Sequence, residues 1–145
     1  MKLFKIFLTF FLLIFYLISV AHSSESTHSN SNIKEFKKII SGQIDAIKSG
    51  DKKIAFSYAS KNIKKKFINE DNFYQMIINH YPQIFLSEKF SLGKILNREK
   101  NIIQEVKFYT NKLHTSTAYY IFTKNDSNQW KIDGVIVKNS LGRGV

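Results

Sequence analysis

The sequence predicts an α+β protein in which N-terminal helices pack on a curved antiparallel β-sheet. Three observations carry that expectation. Apolar residues recur every three or four positions as far as Tyr81, which lays a stripe along a helix. After Pro82 the period changes to two, as in half-buried strands. Near the C-terminus, Trp130, Ile132, Val135, Ile136 and Val137 surround an Asp133-Gly134 step and read as the last strand, on which the rest packs. Segregated helices and strands of this kind define the α+β class.

Met1 to Ser23 has the layout of a secretory signal, with Lys2 and Lys5 ahead of an apolar run from Ile6 to Ala21. Ala21-His22-Ser23 suits cleavage, which leaves Ser24 as the first mature residue. An uncleaved anchor is the alternative, because the run approaches the length of a spanning helix. Ser24 to Asn32 contains no apolar residue and has the composition of a polar linker. His22 and His28, in or beside it, are too weak a pair to suggest metal binding.

Ile33, Phe36, Ile40, Ile44 and Ile47 form the stripe of a first helix that should end at Ser49-Gly50. Asp51 then caps a second helix carrying Ala55, Phe56, Tyr58 and Ala59. The lysines Lys61, Lys64, Lys65 and Lys66 beyond its end read as a solvated face. Glu70-Asp71 opens a third helix with Phe73, Met76, Ile77, His80 and Tyr81, and Pro82 ends it.

Strands are expected around Phe90 to Leu96, Val106 to Phe108, Thr115 to Thr123 and Asn128 to Asn139. Turn chemistry at Arg98 to Asn101, Asn111-Lys112 and Asn125 to Asn128 joins them. Connections this short require an antiparallel meander. Gly134 inside the last strand marks a bulge that brings Trp130, Ile132, Val135 and Val137 onto one face, with a tight Asp-Gly hairpin as the alternative. The domain is expected over residues 33–139, followed by a flexible tail at 140–145.

The 145 residues allow one core. A net charge of +11 makes attraction to anionic partners reasonable, yet only Arg98 and Arg143 are arginines, so dedicated phosphate or base readout is not expected. Cysteine is absent, which excludes disulfides, thiolate metal sites and a cysteine nucleophile. Together with the short signal, this suits a Gram-negative periplasm.

Gln43 with Asp45-Ala46, the run Ala55-Phe56-Ser57-Tyr58-Ala59-Ser60, Phe73 with Met76, Tyr81-Pro82 and Trp130-Lys131-Ile132-Asp133-Gly134 resemble the domain of unknown function 4864 family. The family is similar to the nuclear transport factor two-like superfamily, in which N-terminal helices pack into a curved antiparallel sheet to form a cone. Its relatives include ketosteroid isomerase, scytalone dehydratase, polyketide cyclases and non-catalytic binding modules, so the resemblance implies a shape rather than a reaction. Lys61 stands where a proline is usual in the family, and Val135 where a small residue such as cysteine is common.

A sheet curled against helices leaves a hollow at its open end. His80 and Asp133 are the weak catalytic candidates, as general base or acid. The bland alternatives are a histidine held at a helix C-terminus and an aspartate shaping the bulge. Gln43, Tyr58, Tyr81, Tyr119 and Trp130 are the pocket candidates, with Tyr120 as a further hydroxyl. No phosphate loop, Ser-His-Asp arrangement or paired-histidine motif is present, and neither cofactor nor metal is expected. The reading is an exported, non-catalytic module for a small apolar ligand or a protein partner. Its alternatives are an isomerase or dehydratase, and lysine-driven binding to anionic envelope components. A homodimer remains open, nucleic acid is not expected, and membrane contact is expected only through the signal peptide.

Overall fold

The computed structural model describes residues 24–99, 101–111 and 113–139. The signal segment expected at 1–23 and the tail expected at 140–145 lie outside the described residues. The chain divides into two compact units, residues 1–35 and 36–145. The described part of the first is helical, and the second holds all that follows.

Among the described residues, five helices precede four strands: α1 (Ser24–Ser49), α2 (Lys52–Ser57), α3 (Lys61–Phe67), α4 (Glu70–His80), α5 (Pro82–Leu86), β1 (Lys89–Asn97), β2 (Ile102–Thr110), β3 (Leu113–Lys124) and β4 (Trp130–Asn139). The sequence pattern leads to three helices, and two differences account for the rest. Lys61 to Phe67 is a helix of its own, because the Ser60 hydroxyl accepts from the Ile63 N–H and starts a new turn. Pro82 ends α4 and also sits in the first turn of α5, where its missing N–H costs nothing. The polar stretch Ser24 to Asn32, where a linker is expected, is helical as part of α1. Extending a helix already nucleated by the isoleucine stripe adds one hydrogen bond per residue fixed.

The sheet is an antiparallel meander in the order β1-β2-β3-β4. A register shift occurs in each strand pair: between Leu92 and Ile95, between Phe108 and Tyr109, and between Ile121 and Phe122. Such irregularities bend and twist strands. Opposite β3, Gly134 pairs with Ile121 and Ile132 with Phe122, so Asp133 is the extra residue. The Asp133-Gly134 step is therefore a bulge and not a hairpin turn. Ile132 is buried, and Trp130, Val135 and Val137 pack partly buried against the same core, while Ile136 points outward. In β1 the bulge leaves the Gly93 carbonyl to be covered by the Gln104 side-chain amide, which donates at 3.0 Å.

The core joins Phe36, Ile40, Ile44 and Ile47 of α1 to Val106, Phe108, Ala118, Tyr120 and Phe122 of the sheet. Phe36 stacks on Phe122 with ring centroids 4.3 Å apart and meets Trp130 edge-on at 5.3 Å. Each ring buried in this way contributes about 1.5–3 kcal/mol from area alone. Trp130 carries less weight than its size suggests. It lies at the strand end beside the β3–β4 turn, is only partly buried, and has the Lys124 ammonium 5.0 Å from its ring.

Tyr120 is fully buried, and its hydroxyl has no hydrogen-bond partner among the described residues. Burial alone pushes its phenol well above the usual value. An unpaired buried hydroxyl is a net cost, so Tyr120→Phe should leave stability unchanged or raise it by about 1–3 kcal/mol in denaturant unfolding. Above about pH 10 the unfolded chain loses the phenolic proton while the folded chain keeps it, so the parent should lose up to about 1.4 kcal/mol per pH unit relative to the variant. A variant less stable than the parent by more than about 1 kcal/mol would show that the hydroxyl has a partner.

Candidate functional site

The site grows from one join between the helices and the sheet. Order β1-β2-β3-β4 leaves β4 with an open outer edge, a row of backbone groups that needs cover. The segment from Tyr58 to Ser60 supplies it. The Ile132 N–H donates to the Tyr58 carbonyl at 3.0 Å, the Ser60 N–H donates to the Ile132 carbonyl at 2.8 Å, and Ala59 forms a parallel bridge with Ile132. Further along the edge, the Tyr81 hydroxyl donates to the Val135 carbonyl at 3.0 Å.

Beside this join lies a cavity of about 390 Å³, within the range of small-molecule sites. Its wall is mainly apolar, from Ile47 of α1, Ile63 and Phe67 of α3, Phe73, Met76 and Ile77 of α4, and Ile132 and Val135 of β4. Five polar side chains interrupt that wall: Gln43, Lys66, His80, Tyr81 and Asp133.

The expected site residues divide as follows. His80 and Asp133 border the same cavity, as do Gln43 and Tyr81. Gln43 is buried, and its amide donates to the Ala55 carbonyl at 3.5 Å. It therefore bonds one helical segment to another. Tyr58, Tyr119 and Trp130 are not among the lining residues. The Tyr58 ring lies against Gly42, where an added Cβ would fall 2.1 Å from its hydroxyl oxygen. Tyr119 alternates with the buried Ala118 and Tyr120 and stands on the outer face, with the Lys138 ammonium 5.5 Å from its ring. Trp130 is occupied with Phe36 and Lys124.

Asp133 has a structural use. One carboxylate oxygen accepts from the Ser60 hydroxyl at 2.5 Å and from the Asn62 side-chain amide at 3.2 Å. Ser60 is itself buried and caps α3, so a single hydroxyl links the bulge of β4 to the start of that helix. His80 is the last residue of α4 and is exposed. Among the described residues, no group of three metal-ligating side chains comes together.

The contribution of α3 escapes sequence reasoning. Ile63, Lys66 and Phe67 reach the cavity because Ser60 starts a separate helix, and a serine three residues before Ile63 was the available signal.

Residues 29–145 match the family described as Domain of unknown function (DUF4864). The chain belongs to that family. A search of curated proteins returns no match.

If Asp133 holds the join together, Asp133→Asn weakens a charge-assisted hydrogen bond and should lower unfolding stability by about 1–2 kcal/mol. Chemical denaturation of parent and variant measures this. A variant as stable as the parent would contradict the structural assignment and return Asp133 to the catalytic candidates.

Proposed function

We propose that the protein is an exported, non-catalytic module that holds a small, largely apolar ligand in the cavity between α1, α3, α4 and β4. The observation that carries this reading is an apolar hollow of ligand size whose one bordering carboxylate already accepts two hydrogen bonds. Apolar walls with a few polar groups favour binding through burial, with orientation supplied by Gln43, Tyr81, His80 and Lys66. Helices followed by an antiparallel meander also support placing the family in the nuclear transport factor two-like superfamily, where non-catalytic binding modules occur.

A second reading, an isomerase or dehydratase, draws on His80 and Asp133 bordering one cavity. General-base work needs a carboxylate free to reach substrate, and one of the two Asp133 oxygens is held by Ser60 and Asn62. His80 is exposed to water. The binding reading therefore leads. Export and a periplasmic location belong to the same proposal and rest on the layout of Met1 to Ser23.

Native mass spectrometry of the protein recovered from its own cells should give a chain beginning at Ser24 with the added mass of one small molecule. Met76→Trp, which fills the cavity, should remove that added mass while leaving the fold intact by circular dichroism. Retention of the small molecule in the folded variant would place the ligand elsewhere, and a chain beginning at Met1 would remove cleavage from the proposal.

A further inference from the structure

Ile68 has no structural reason to be an isoleucine. At 80% exposure it is the most exposed large apolar residue among those described. It also ends α3 with φ +70° and ψ −50°. The Asn69 N–H donates to the Phe67 carbonyl at 2.7 Å, which closes a γ-turn with Ile68 at its centre. That form of γ-turn is rare and strained, and a β-branched residue at positive φ is an outlier. Helix ends that need this region usually take glycine or asparagine. The side chain is thus retained at a position where both the backbone and the solvent disfavour it, and strain of that sort clusters at functional positions.

The neighbouring helix indicates what Ile68 meets. Lys-Asn-Ile-Lys-Lys-Lys-Phe, the whole of α3, carries four lysines and no acid. Lys61 has an ion pair with Asp126 at 3.6 Å, but both groups are largely exposed, where such a pair contributes little. Lys61, Lys64 and Lys65 share a surface groove with Lys131. An exposed isoleucine at the end of a helix with four lysines, with Glu70 and Asp71 just beyond it, matches a bilayer interface, where ammonium groups sit at the phosphates and an aliphatic side chain reaches the acyl boundary. A polyanion such as a nucleic acid or polysaccharide would engage the lysines and leave Ile68 in water. Among the described residues no helix is long and apolar enough to cross a membrane, so the contact in question is peripheral.

We propose that α3 and its terminal γ-turn dock on an anionic membrane surface, with Ile68 inserted and Lys61, Lys64 and Lys65 on the headgroup phosphates. This adds a second contact with the membrane to the one expected of the signal segment. It does not depend on what the cavity holds. Because Ile63, Lys66 and Phe67 also line the cavity, a docked protein carries that cavity next to the lipid.

The absence of cysteine allows a test that reads position 68 separately from the N-terminal segment. The full chain with Ile68→Cys carries an environment-sensitive fluorophore, and a second chain carries it at the exposed Glu99→Cys on the β1–β2 turn. With vesicles of phosphatidylglycerol and phosphatidylcholine, emission at position 68 should shift to the blue while emission at 99 stays unchanged. Raising salt from about 0.05 M to about 0.5 M should reverse the shift. Adding Lys61→Gln and Lys65→Gln should raise the lipid concentration for half-maximal shift by roughly thirtyfold. In the unlabelled protein, Ile68→Gly should raise the melting temperature, since the strain is relieved, and should weaken vesicle binding several-fold. The proposal is overturned by no shift at 68, by an equal shift at 99, by the same shift with dextran sulfate in place of vesicles, or by lysine variants that bind as the parent does. An Ile68→Gly protein that melts lower would also overturn it, by making Ile68 a packing residue.

Discussion

Three residues, Tyr58 to Ser60, join the helical part of residues 36–145 to the edge of its sheet, and the geometry around the cavity depends on them. Two backbone hydrogen bonds, at 3.0 and 2.8 Å, run between this segment and Ile132. The Ser60 hydroxyl adds a bond to Asp133 on the next residue of β4. Ala59 and Ser60 are both buried, so these bonds form where an unmade one would be costly. The edge strand gains cover, α3 gains its cap, and Ala59, Ile132 and Asp133 become one wall of the hollow.

The bulge at Asp133 explains why this edge can serve two purposes. One extra residue lets Ile132 and Val135 both turn toward the core, although three positions separate them. The residue left over points its carboxylate at Ser60 and Asn62. A carboxylate beside a cavity invites a catalytic interpretation, but here its hydrogen bonds hold a helix start in place. What remains at the cavity is an apolar wall interrupted by Gln43, Lys66, His80 and Tyr81.

Much of the fold was legible because hydrophobic period is a local signal. The change from the Ile40-Ile44-Ile47 stripe to the alternation of Val106 and Phe108 marks the passage from helices to sheet. The alternation broken at Asp133-Gly134 marks the bulge. Capping is local too, and Asp51 does accept from the Ile54 N–H at the start of α2. Lys61 to Phe67 was harder, because a lysine-rich turn presents no apolar stripe and its helix is set by a serine cap. The site itself was only partly readable. His80 and Asp133 do border one cavity, but which face Tyr58 or Tyr119 occupies depends on contacts with Gly42 and Lys138. The partner that determines the role of Asp133 lies 73 residues away in sequence, beyond any spacing rule.

Amide hydrogen exchange at Ser60 and Ile132 tests most directly whether this join is integral to the fold. The account predicts that both amides exchange as slowly as those in the middle of β3, opening only with global unfolding. Exchange at the rate of the β1–β2 turn, Arg98 to Asn101, would show that the segment merely rests on the sheet edge, and the cavity wall built on it would lose its support.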